Sequence, residues 1–124
     1  MKDSDPKKTL VIGGSTNPER FSNKAIKKLL RYGYPVVSIG LREAEVEGVK
    51  IQTGFPPYND IHTVTLYIGQ KHQPQYFDYV LGLNPKRIIF NPGTENPDFK
   101  EIANKHGIET VENCTLIMLD GGLF

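Results

Sequence analysis

An α/β fold of the Rossmann-like, doubly wound type is predicted from three features of the sequence. Short runs rich in β-branched residues alternate with segments of helical period. The first run breaks at Gly13-Gly14 and resumes as a helix start, and Pro74 and Asn96-Pro97 open later helices. A mostly parallel five-stranded sheet with helices on both faces follows from that order of elements.

Thr9 to Ile12 is the first strand. A helix runs from about Ser22 to Tyr32, with Ala25, Ile26, Leu29 and Leu30 on one stripe and Lys24, Lys27, Lys28 and Arg31 outside; Gly33 stops it in a left-handed cap. Val36 to Ile39 is the second strand and ends at Gly40. After a charged excursion, Gly48 to Gln52 forms a short extra edge strand, and Pro56-Pro57 forces a loop. Thr63 to Ile68 is the third principal strand, and Pro74 opens a helix whose Tyr76, Phe77, Val80 and Leu81 share a face before Asn84-Pro85 ends it. Arg87 to Phe90 is the fourth strand and Asn91-Pro92-Gly93 its turn. Asn96 then caps a helix carrying Phe99, Ile102 and Ala103 inward, and Gly107 closes it. A short strand at Glu109 to Val111 completes the sheet, with a terminal helical turn over Asn113 to Leu119. Residues 1–8 are polar and read as a flexible tail, leaving 9–124 as a single domain.

Composition narrows the function classes. Lys plus Arg number 15 against 14 Asp plus Glu, so there is no general cationic field for nucleic acid. Cys114 is the only cysteine, which excludes an intrachain disulfide, and no membrane-length apolar run occurs; a cytoplasmic location without a membrane partner is expected. His62, His72 and His106 show no ligand spacing, so neither a metal site nor a catalytic constellation is expected. His106 reads as a helix C-terminal group and Cys114 as a small buried hydrophobe.

In a doubly wound sheet, ligands sit beyond the carboxyl ends of the strands where strand order reverses. That rule gathers the stretches Gly13 to Phe21, Gly40 to Arg42, the residues after Tyr67, and Asn91 to Thr94 around one crevice. Gly13 and Gly14 would let backbone N–H groups approach a phosphate, with Ser15 and Thr16 as hydroxyl donors and Arg20 and Ser22 at the helix start. A ligand-free tight turn is the alternative. The third glycine of the dinucleotide fingerprint is absent, and the second strand leads to Gly40-Leu41-Arg42 where an NAD enzyme wants an acid. A cation there suits a phosphorylated ribose, that of NADP or of coenzyme A, although Glu43 and Glu45 lie nearby.

With those residues in view, the chain resembles the small stand-alone coenzyme A-binding proteins, which are similar to the coenzyme A-binding domain of the succinyl-coenzyme A synthetase α subunit. The family's first turn looks like Gly-Ala-Ser-x-x-Pro-x-Arg-x-Ser, and Gly13, Ser15, Pro18, Arg20 and Ser22 hold those places. Gly33-Tyr34, the Gly48-Val49-Lys50-Ile51 edge strand, Pro74, Asn91-Pro92-Gly93 and Cys114 follow in order. Gly40-Leu41 stands where the family usually has Asn-Pro, Gly69 lies where an arginine is common, and Thr115-Leu116 replaces a Pro-Lys. The resemblance implies non-catalytic binding of coenzyme A or an acyl derivative by a sensor, carrier or enzyme partner. The diphosphate would lie at the first turn, the adenosine near Gly40 to Arg42, and the pantetheine across Tyr67, Asn91 and Gly93. An NADP-linked oxidoreductase and a ligandless interaction protein are the alternatives. Tyr58, Tyr67, Tyr76, Tyr79 and Leu123-Phe124 read mostly as core or rim aromatics, with a self-association surface as the alternative, and an acyl-transfer enzyme is the partner the resemblance suggests.

Overall fold

The structure, a computed structural model, describes residues 7–124. Along the chain run β1 (Thr9–Ile12), α1 (Phe21–Arg31), β2 (Val36–Ile39), β3 (Ala44–Val46), β4 (Val49–Gln52), β5 (Thr63–Leu66), α2 (Phe77–Leu83), β6 (Arg87–Phe90), α3 (Pro97–Lys105), β7 (Glu109–Glu112) and α4 (Thr115–Asp120). They build a seven-stranded sheet of order β3-β4-β2-β1-β5-β6-β7. Every pairing is parallel except the antiparallel β3–β4 hairpin. The chain leaves β1 toward β2 and later returns to place β5 on the other side of β1, which makes the β1–β5 boundary the switch point.

Strands β1, β5 and β6 are buried at every residue, as expected of central parallel strands covered on both faces. On one face Ile26 and Leu29 of α1 pack with Val11, Ile51 and Ile89 and with Met118 and Leu119 of α4. On the other, Leu10, Ile12, Leu66 and Phe90 meet Val80 of α2 and Phe99 and Ala103 of α3, with Tyr58 and Ile61 from the segment that crosses from β4 to β5. The Phe90 and Phe99 rings meet edge to face at 5.7 Å.

Several expected boundaries shift for identifiable reasons. The charged excursion after Gly40 contains β3; the sheet has seven strands, the five principal ones with β3 and the expected extra edge strand, β4, which pair as a hairpin. Gly48 is not its first strand residue: Glu47 (φ 48°) and Gly48 (φ 87°) are the two turn residues between paired Val46 and Val49. Two consecutive left-handed residues match the twist of a tight hairpin. Pro74 opens a 3₁₀ turn over Pro74–Tyr76, after another at Gln70–His72, and α2 starts at Phe77. The third principal strand stops at Leu66, although the Tyr67 amide still donates to the Ile12 carbonyl at 2.9 Å. The terminal helical turn is a six-residue helix, α4. Of the expected tail, residues 1–6 lie outside the described residues. Lys7 Nζ donates to the Phe124 carbonyl at 2.7 Å, and the Lys8 carbonyl accepts from the His62 amide at 2.9 Å.

Candidate functional site

A cleft of about 710 Å³ opens at the switch point, beyond the carboxyl ends of β1, β2 and β5. Gly13, Gly14, Ser15, Thr16 and Arg20 from the β1–α1 loop form one wall, Arg42 and Ala44 a second, and Tyr67, Gly69 and His72 a third. A smaller hollow of about 440 Å³ lies along the exposed side of α3 between Pro97, Lys100 and Lys105. It belongs to a single helix surface and gathers no convergent loops.

The glycines at this corner are required by protein packing rather than by a ligand's approach. Gly13 has φ 101°, and a Cβ there would lie 2.9 Å from the Tyr67 carbonyl oxygen. A Cβ on Gly14 would overlap Ser38 Oγ, which is buried and donates to the Val11 carbonyl at 2.9 Å. A Cβ on Gly40 would come within 2.6 Å of the Gly14 carbonyl oxygen. The loops after β1, β2 and β5 therefore touch backbone to backbone, and that contact shapes the floor of the cleft.

The amides of Gly13 and Gly14, expected from the sequence to be free for a phosphate, are not free. Both donate to the Ile39 carbonyl at the end of β2, at 2.8 and 2.9 Å. Farther along the loop, Asn17 N–H donates to Ser15 Oγ, Glu19 N–H to Asn17 Oδ1 and Arg20 N–H to the Asn17 carbonyl. The available donors lie between and beyond these contacts. The Ser15 and Thr16 amides meet no acceptor among the described residues, and the first intrahelical bond of α1 is Lys24 N–H to the Arg20 carbonyl, leaving the Phe21, Ser22 and Asn23 amides without one. Arg20 occupies the N-cap position and its side chain caps nothing, and the first turn of α1 holds no acidic residue. An open helix start with a cation beside it favours an anion.

Asn23 supports this corner from below. It is 2% exposed, its Nδ2 donates to the Ser15 carbonyl at 2.9 Å, and its Oδ1 is buried without a partner. A buried unsatisfied acceptor of this kind costs about 1–3 kcal/mol.

The remaining sequence-predicted residues divide. Arg42 reaches the cleft and, like Arg20, is exposed. Ser22 is buried in the first turn of α1, and Gly40 contributes through its contact with Gly14. Asn91 does not line the cleft: its Nδ2 donates to Thr65 Oγ1 at 2.6 Å and to the Leu66 carbonyl at 2.8 Å, while its Oδ1 accepts from the Thr115 amide at 2.9 Å. Those contacts tie β5, β6 and α4 together and use both amide donors of the side chain. Gly93 is also outside the cleft, its amide donating to the Glu95 carboxylate at 3.0 Å. Tyr67 lines the cleft, but its hydroxyl is buried, and desolvation pushes its pKa up to about 12, so it stays a neutral phenol.

Leu41, Ile68 and Gly69 line the cleft within the stretches that sequence gathered there, and His72 joins them; Glu43, Ala44 and Ile51 are lining residues that sequence reading did not place in the wall. Leu41 is 96% exposed, an apolar side chain held in water at the mouth of the cleft. Ala44 and Ile51 arrive through the hairpin, whose Glu47-Gly48 turn between two valines was the available signal. Among the described residues no cluster of His, Cys, Asp and Glu is placed to hold a metal, and no helix is long and apolar enough to cross a membrane.

A family model described as CoA binding domain matches residues 7–120. A solved uncharacterized protein is 41% identical, covering 97% of this chain and 99% of its own, with a TM-score of 0.94. A hypothetical protein from Pyrococcus horikoshii OT3 is 24% identical over 99% of both chains with a TM-score of 0.84, a likeness of fold. The dinucleotide-forming acetyl-coenzyme A synthetase 1 of Ca. Korarchaeum cryptofilum, solved with phosphate and ADP, shares the fold at 18% identity and a TM-score of 0.70; the match covers 88% of this chain and 26% of that one. No curated protein sequence matches. With the family model spanning nearly the whole described chain and the cleft standing at the sheet's switch point, this protein belongs to the CoA binding domain family.

Proposed function

We propose that the protein binds coenzyme A or an acyl-coenzyme A without transforming it, as a sensor, a carrier or a partner of an acyl-transfer enzyme. The observation that carries this reading is the uncapped start of α1 beside Arg20, facing a cleft of nucleotide size. The diphosphate lies over the Ser15 and Thr16 amides and the first turn of α1. The adenosine rests near Leu41, its ribose phosphate meets Arg42, and the pantetheine passes Tyr67, Gly69 and His72. Among the polar groups of the cleft, the Tyr67 hydroxyl is buried and held protonated.

Thermal shift with coenzyme A, acetyl-coenzyme A, dephospho-coenzyme A, NAD and NADP tests the proposal, because a ligand raises the midpoint of the state it binds. Coenzyme A is expected to stabilise more than dephospho-coenzyme A in the wild type, and the two equally in Arg42→Ala. A shift with NADP alone would replace this reading with the oxidoreductase one, and no shift with any of the five would leave an interaction protein.

A further inference from the structure

We infer that Asn23 is a positioning residue for the diphosphate, acting through the Ser15–Thr16 peptide rather than by touching the ligand; this rests on the coenzyme A reading above. In a trans peptide the carbonyl and the following N–H point in opposite directions. Asn23 Nδ2 holds the Ser15 carbonyl at 2.9 Å from a site that is 2% exposed, so that carbonyl points into the protein. The Thr16 N–H on the same peptide consequently points away from the interior, on a residue that lines the cleft and is exposed. With the Gly13 and Gly14 amides bound to Ile39, the loop's free donors are few, and the orientation of this one peptide determines whether a donor or an acceptor stands at Thr16.

Two further observations support the assignment. Asn23 Oδ1 has no partner although buried, so the side chain is an imperfect core residue, and an apolar side chain would avoid that loss. The loop's other bonds, Asn17 N–H to Ser15 Oγ and Glu19 N–H to Asn17 Oδ1, leave the Ser15 carbonyl unengaged, so the Asn23 contact is the one that chooses which way the Ser15–Thr16 peptide faces. A flipped peptide would aim the Ser15 carbonyl at the diphosphate and repel it.

The test compares wild type with Asn23→Ala and Asn23→Asp, the second keeping the shape while removing the donor. Coenzyme A and inorganic pyrophosphate are titrated by calorimetry, and the Thr16 amide is followed by NMR. The wild-type Thr16 amide is expected to shift on pyrophosphate addition. In both variants, with strand and α1 amides unmoved, the Thr16 response should disappear and both ligands should bind about tenfold more weakly, as expected for loss of a donor to a charged group. Unchanged affinity in folded variants, or loss of fold in both, overturns the positioning role while leaving coenzyme A binding intact. Pyrophosphate binding with a Thr16 response, but no coenzyme A binding by the wild type, would sink the coenzyme A reading and keep this one. Binding of neither ligand by the wild type overturns both.

Discussion

The starts of α1 and α3 stand at the same edge of one sheet, each just after a glycine-containing turn, yet one is open and the other closed. At α3, Asn96 Oδ1 accepts from the Phe99 amide at 3.1 Å, Pro97 has no N–H to satisfy, and Asp98 supplies negative charge in the first turn. The turn before it is equally self-contained, with the Gly93 amide on the Glu95 carboxylate and the Thr94 amide on the Asn91 carbonyl. At α1, Arg20 caps nothing and no acid lies in the first turn. A helix start becomes a ligand site only when the chain's own side chains leave it unfilled, and that difference separates the turn after β1 from the turn after β6.

The comparison can be broken most severely at Gly40. Adding a methyl group there forces it against the Gly14 carbonyl and Ile51 Cγ2, and overpacking of this kind costs about 3 kcal/mol. Gly40→Ala should lower the urea midpoint and weaken coenzyme A together, because the β1–α1 loop leans on that contact. A variant of full stability would show that the loops tolerate separation.

The two helix starts should then dissociate. Asn96→Ala removes the α3 cap and the Nδ2 contact to the buried Gln73 Oε1, and it should cost about 1–2 kcal/mol of stability while leaving coenzyme A affinity unchanged. Arg20→Ala should do the reverse, weakening coenzyme A about tenfold, or about 1.4 kcal/mol, at unchanged stability. Denaturation and calorimetry on both variants check the pair, and a stability loss in Arg20→Ala would mean that α1 relies on a cap not visible in its hydrogen bonds.

The smallest effect comes from the far end of the strands, where burial, then Arg87, Lys7 and Lys86, lower the His62 pKa from its usual 6.5. A histidine whose folded pKa is depressed binds fewer protons folded than unfolded, so its contribution holds above about pH 6.5 and is lost as pH falls through that value toward the folded pKa. Stability should decline across that window, and His62→Gln should flatten the decline without altering coenzyme A affinity at pH 7.5. An identical pH profile in the variant would remove His62 as the source.

Much of this was legible along the chain. The buried runs at Leu10 to Ile12 and Ile88 to Phe90, the α1 stripe, the Asn96 cap and the glycine corner are local patterns, because burial period and capping depend on residues a few positions apart. The family resemblance drew on the same corner. Other features depended on distant partners. Gly13 and Gly14 lost their amides to Ile39, more than two dozen residues away in sequence, and Asn91 was drawn into Thr65 and Thr115 instead of the cleft. The hairpin that adds Ala44 and Ile51 to the wall was hidden in a charged segment. Hydrophobic spacing foretells which stretches will be buried and therefore where a loop must emerge. Which of that loop's donors remain unclaimed depends on the carbonyls and amides that folding brings beside it.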